Sequence, residues 1–289
     1  MKNNVSKINL NGNSGNAVFY YRNIHGNLIV RKQSENKIQS DRLIKQFEKH
    51  NFFLKYKNSF FNIPAVLNKG FNNNLFFYEY EYIEGTNFIA CIKNENIRDL
   101  KKIIDKFIKI IEDFSKVNKY YEKEYERTTL NNALKNKIIV NSKLLDLDKT
   151  ITDKFLKLLE KVKITKEKTL SHGDFTFDNI IIDKEKKLWL IDFLGGFYPH
   201  CWLDIIKLFQ NTEGEWFKIK YKMNINKRKV LLLDEYIKCK IIEFDNVYME
   251  NHYFFMAFNF LRILPYMTKI SDKKKILKKI ELYINLSKI

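Results

Sequence analysis

The chain has 289 residues, 45% of them apolar, with only 9 Gly and 3 Pro. This composition supports a sizeable core and excludes a disordered or low-complexity protein. Lys and Arg number 52 against 34 Asp and Glu, a formal charge of +18. The lysines are spread along the chain beside Asn and Ile, so the excess reads as a solvated surface. No nucleic-acid motif or basic-aromatic patch accompanies it, and nucleic acid is not expected as a partner. Cys91, Cys201 and Cys239 lie far apart without Cys-x-x-Cys spacing. That argues against a disulfide framework or a zinc site and fits a reducing cytoplasm. The first residues show no apolar signal region, and no stretch approaches the roughly 18 apolar residues of a membrane span. A cytoplasmic protein without membrane insertion is the expectation.

In chain order, Ile8-Asn9-Leu10, Ala17–Arg22 and Leu28–Lys32 predict three short antiparallel strands. The turn between the first two contains Gly12, Ser14 and Gly15. The third strand ends in two cations, Arg31 and Lys32, which strand alternation puts on opposite faces. The register slightly favours Arg31, whereas choosing Lys32 leaves Leu28 and Val30 beside it as an apolar roof; the choice leans to Lys32. Asp41–His50 reads as a helix with an apolar stripe through Leu43, Ile44 and Phe47, bordered by Glu48. Ile63–Leu67 and Leu75–Ile83 predict two more strands around Asn72-Asn73-Asn74, with Gly85 ending the second. From Asn96 to Val117 a regular stripe predicts a buried helix. Helices are expected at 131–143 and 151–162, and again at 203–210, 213–222, 226–241, 246–262 and 272–287. The fold class is therefore α+β, with an N-terminal antiparallel sheet lobe over residues 1–84 and a mostly helical lobe over 85–289.

Between these helices lies Ser171-His172-Gly173-Asp174-Phe175-Thr176-Phe177-Asp178-Asn179, with Ile191-Asp192-Phe193 further on. Ile180–Leu190 reads as two apolar strands joined by a charged turn. Such a hairpin gathers Asp174, Asn179 and Asp192 at one end. Asn179 and Asp192 supply the hard oxygen donors that Mg²⁺ prefers, and Asp174 remains to accept a proton from a hydroxyl. Strand alternation turns Asp178 away, and Asp183 belongs to the solvated turn.

This spacing resembles the aminoglycoside phosphotransferase and choline kinase family, which shares the protein-kinase-like fold. The resemblance implies ATP and Mg²⁺ as cofactors and a small hydroxylated molecule as acceptor. It assigns Asp174 as the base and Asn179 and Asp192 as metal ligands, with His172 holding the loop and Asp204 bracing it. It places the Gly12-Ser14-Gly15 turn over the nucleotide phosphates, with Arg31 or Lys32 on the α/β phosphates. Glu48 would pair with Lys32, with Gln46 and Glu35 as rivals. Glu81-Tyr82-Ile83-Glu84-Gly85 is similar to the family's hinge, where the backbone of Glu81 and Ile83 would bind adenine. No activation loop ending in Ala-Pro-Glu follows Phe193-Leu194-Gly195-Gly196, which favours a small-molecule acceptor over a protein.

A lysine-rich C-terminal third disfavours a polycationic antibiotic. Tyr248, His252, Tyr253, Phe254, Phe255 and Phe258 have helical spacing and read as core rather than as a cage for quaternary ammonium. The segments 211–216 and 262–266 are similar to kinase-like proteins encoded with surface-polysaccharide genes, which implies a sugar or another hydroxylated metabolite; a sugar or amino alcohol, for surface glycan synthesis, is the expected acceptor. A nucleotide-binding pseudokinase is the alternative, and the presence of all three polar residues speaks against it.

Overall fold

The computed structural model describes residues 8–10, 16–117, 128–164 and 168–287. The chain divides into two compact units: residues up to Asn87 together with Asn179–Gly196, and Phe88–Asp178 together with Phe197 onward. This differs from the division expected at residue 85, because the segment after Asp178 returns to the sheet unit.

The first unit holds β1 (Ile8–Leu10), β2 (Asn16–Arg22), β3 (Leu28–Ser34), β4 (Val66–Asn72) and β5 (Leu75–Glu81). They form an antiparallel sheet of order β1-β2-β3-β5-β4. Helix α1 (Lys37–Leu54) is capped by Asn36, whose side chain accepts from the Gln39 N–H. Its Leu43 and Phe47 join Val30, Phe76, Tyr78 and Tyr80 in the core. A second sheet consists of β6 (Gly85–Asn87), β7 (Ile180–Asp183) and β8 (Leu188–Leu190) in that order. The expected hairpin is thus present, and it gains a third strand. Gly85 opens this strand rather than ending β5. A Cβ there would lie 2.5 Å from the Ile182 carbonyl oxygen, so only glycine lets β6 pair so closely with β7.

The second unit is helical: α2 (Phe88–Asn94), α3 (Ile97–Ser115), α4 (Leu130–Leu144), α5 (Lys149–Leu159), α6 (Trp202–Asn211), α7 (Trp216–Lys220), α8 (Lys227–Phe244), α9 (Asn246–Glu250), α10 (His252–Ile263) and α11 (Ile270–Leu286). In α3 the predicted stripe, Leu100 through Phe114, is buried. The helix expected over 246–262 is broken at Asn251, which ends α9 and precedes α10. Tyr248, Phe254, Phe255 and Phe258 are buried in the core, as their spacing predicted.

Candidate active site

In the first unit, Lys32 sits mid-strand on β3, opposite Tyr78 of β5. Its ammonium lies 2.5 Å from Asp192 Oδ1. Burial opposes the charge, but Asp192 outweighs it, aided by Tyr78 and Tyr80, and holds Lys32 above the usual lysine range. Arg31 points to the other face. Its guanidinium lies over the Phe77 ring at 3.6 Å and contacts Glu79 Oε1 at 3.1 Å. Glu79 also accepts from the Tyr21 hydroxyl and the Asn68 amide. The two cations are therefore separated as alternation requires, and Lys32 is the one beside Asp192.

The expected Glu48–Lys32 pair does not form. Glu48 is exposed, as is Glu35, while Gln46 is buried. The reason is the rotation of α1, which turns Lys49, His50 and Phe53 inward and leaves Glu48 in water. These inward residues grip the Asp192 segment. Lys49 Nζ donates to the Leu194 carbonyl at 2.8 Å, Phe53 stacks on Phe193 at 4.5 Å, and His50 lies 5.7 Å from the same ring. Between them Asp192 adopts φ +62°, a left-handed conformation that costs a non-glycine residue energy and is found at functional sites. Asn179 is buried at the start of the hairpin, and its carbonyl accepts from the Ile191 N–H. Glu81 ends β5 with its N–H donated to the Ala65 carbonyl, and half-buried Ile83 follows in the connection to β6. Gly12, Ser14 and Gly15 lie outside the described residues.

In the second unit the loop carrying Asp174 is anchored by its neighbours. Phe175 and Phe177 are buried against Phe107 of α3, and Phe177 also meets Phe88 of α2 edge-on at 4.8 Å. Asp204, buried in the first turn of α6, accepts from the His172 N–H at 2.6 Å and the Gly173 N–H at 2.8 Å. Gly173 has φ +88°, which a side chain would strain. The Asp174 N–H donates to His172 Nδ1 at 3.3 Å. The Asp174 side chain is 31% exposed, and its Oδ1 lies 3.1 Å from the ammonium of buried Lys207. Burial opposes the Asp174 charge, but Lys207 prevails, with His172 and Lys220 adding to it, and the carboxyl is held below the usual aspartate range.

Asp178 does not follow strand alternation, because it lies in a 3-10 turn (Phe177–Asn179) rather than on β7. Its carboxylate takes Lys220 at 3.4 Å and a hydrogen bond from Tyr221. Burial, together with nearby Asp174, nevertheless leaves its pKa raised. Motif spacing and periodicity do not single out Lys207, Lys220 or Tyr221. Only the position of Lys207 one turn beyond Asp204 offered a signal.

Among the described residues no group of three or more His, Cys, Asp or Glu is arranged to hold a metal. Asn179 and the partly exposed Asp192 carboxylate still fit Mg²⁺, which takes one or two protein oxygens and completes its shell with phosphate and water.

A sheet lobe with a buried lysine paired to an aspartate, and a helical part carrying a braced His-Gly-Asp loop, define a protein-kinase-like fold. Residues 9–221 match the model of the phosphotransferase enzyme family (APH), and the chain belongs to that family. The chain is similar to the GDP and kanamycin complex of APH(2")-IIia, at 17% identity and a TM-score of 0.58, covering 98% of this chain and 94% of that one. It is similar to ADP-bound aminoglycoside phosphotransferase APH(2'')-Ib, at 15% identity and TM-score 0.59, over 96% and 92%. Choline kinase from Cryptosporidium parvum Iowa II aligns at 10% identity and TM-score 0.60, over 99% and 89%. At these identities the likeness is one of fold. No curated protein sequence matches the chain. Among the described residues no helix is long and apolar enough to cross a membrane.

Proposed function

We propose that the protein transfers the γ-phosphoryl group of ATP to a hydroxyl of a small molecule. The observation that carries this reading is the placement of Lys32 against Asp192, together with an Asp174 carboxylate held ionised on a loop that Asp204 braces. Lys32 binds the α/β phosphates. Asn179 and Asp192 hold Mg²⁺, which supplies charge neutralisation at the phosphates. Asp174 orients the acceptor hydroxyl and takes its proton as the acceptor oxygen bonds to the γ-phosphorus and the bond to the β-phosphate oxygen breaks. The loose transition state asks little covalent help from the protein, so positioning and charge dominate.

Lys207 and Lys220 beside Asp174 disfavour a polycationic acceptor. A sugar hydroxyl suits this surrounding, and an amino alcohol with a single charge is the next choice.

The test is ATP consumption by the purified chain across sugars, amino alcohols and aminoglycosides, with the phosphorylated product identified by NMR. Asp174→Asn should cut turnover by about 10²–10⁴-fold, the usual range for a general base, while nucleotide binding by calorimetry stays intact. No consumption with any acceptor class would overturn the reading.

A further inference from the structure

Asp204 is not the only residue of α6 that acts on the Asp174 loop. Lys207, one turn on, has a side chain only 7% exposed. Burying an ammonium costs several kcal/mol unless it is paired and hydrogen-bonded. A surface lysine could pair with Asp174, which is partly open, without that cost, and an apolar residue of similar size would serve stability as well or better. The position of the ammonium is nevertheless set with care. It donates to Gln210 Oε1 at 2.9 Å. The same oxygen accepts from Asn259 Nδ2 of α10, also at 2.9 Å. Gln210 and Asn259 are both buried. A buried polar chain thus runs Asn259–Gln210–Lys207 to the partly open Asp174 and occupies two of the three ammonium protons.

We propose that Lys207 is a positioning residue for Asp174, holding its carboxylate by Oδ1 in one orientation and ionised for the acceptor hydroxyl. The inference rests on the phosphotransfer reading above. The charged and titratable groups facing Asp174 are Lys207 from α6, Lys220 from α7, Tyr221 after it, and His172 and Asp178 from its own loop. Arg262 of α10 and Asp204 act on Lys207 in turn. Lys207 is in direct contact with Asp174 and acts on it more strongly than His172 or Lys220.

The experiment uses the full chain with Lys207→Met and Lys207→Arg, and Asp174→Asn to assign the Asp174 carboxyl ¹³C signal. The readouts are the pH titration of that signal and the pH profile of MgATP hydrolysis by water, which needs no acceptor. In the wild type the carboxyl should titrate below the free aspartate value of about 3.9. Lys207→Met should raise the midpoint by more than about one pH unit. It should move the acid limb of hydrolysis with it and lower kcat at least about tenfold, with KM for ATP within about twofold. Lys207→Arg should recover most of the low midpoint. A merely structural lysine would change the folded fraction and leave the midpoint where it was, and that result overturns the proposal. Should Lys207→Met fail to fold, the wild type decides, since a midpoint at or above the free value overturns it equally. Wild-type protein that consumes no ATP with any acceptor sinks the phosphotransfer reading instead, and the carboxyl titration, needing no turnover, separates the two failures.

Discussion

The Lys32 ammonium and the Asp192 carboxylate, 160 residues apart in sequence, meet at 2.5 Å, and their side chains are 6% and 35% exposed. The asymmetry of burial predicts asymmetric mutants. Asp192→Ala leaves a buried cation without its partner and should destabilise the protein by about 3 kcal/mol. Lys32→Met fills the same space with an apolar chain and leaves a carboxylate that reaches water, so it should cost clearly less. Urea unfolding of both single variants and the double variant checks this, and the double variant should recover part of the Asp192→Ala loss. Equal single losses would contradict it. For nucleotide, Lys32→Met and Asp192→Ala should each weaken Mg-ATP binding in calorimetry, whereas exposed Glu48→Ala should change it by less than about twofold.

Asp204 accepts from two backbone N–H groups of the loop, so Asp204→Ala should strand both donors in a buried place. A loss of about 2–6 kcal/mol is expected for the two donors, at about 1–3 kcal/mol per unsatisfied group. Asp204→Asn keeps one acceptor oxygen and should fall between wild type and alanine. Thermal unfolding ranks the three, and the same order should appear in kcat, because the braced backbone carries Asp174. Alanine and asparagine behaving alike would show that the bonds to His172 and Gly173 are not what holds the loop.

His50 gives the protein a pH-dependent stability. Its ring donates from Nε2 to the Pro64 carbonyl at 2.8 Å, and burial drops its pKa from 6.5 to about 4. Between those values the unfolded chain takes a proton that the folded chain refuses. Stability from this residue is therefore complete above pH 6.5, falls as pH drops toward about 4, and levels off below that. The full change is about 3 kcal/mol, at 1.36 kcal/mol per pH unit. Urea unfolding at pH 7, 6, 5 and 4.5 should show a slope in the wild type that is shallower in His50→Gln by this contribution. Parallel slopes would mean that His50 takes up its proton as readily in the folded chain as in the unfolded one.

Local order was legible. Alternation placed β2, β3 and the β7–β8 hairpin, and the apolar stripe of α3 announced a buried helix. Alternation also required Arg31 and Lys32 to part, since successive side chains leave opposite faces of a strand. The joint spacing of His172-Gly173-Asp174, Asn179 and Asp192 was rare enough to carry the family. Gly85 and Asp178 depart from the sequence expectation for one shared reason. The end of a strand depends on which partner it meets, and only the pairing of β6 with β7 shows where the hairpin sheet begins.

The sequence by itself determined the order of elements and the family motif that contains Asp174, because these depend on residues near one another in the chain. The tertiary structure alone decided which ions pair. Helix rotation turned Glu48 outward and Lys49 inward, giving Lys32 to Asp192. Packing of α6 against the Asp174 loop brought Lys207 to the carboxylate. Ion pairing depends on distances of a few ångströms between distant segments, and periodicity carries no such distances.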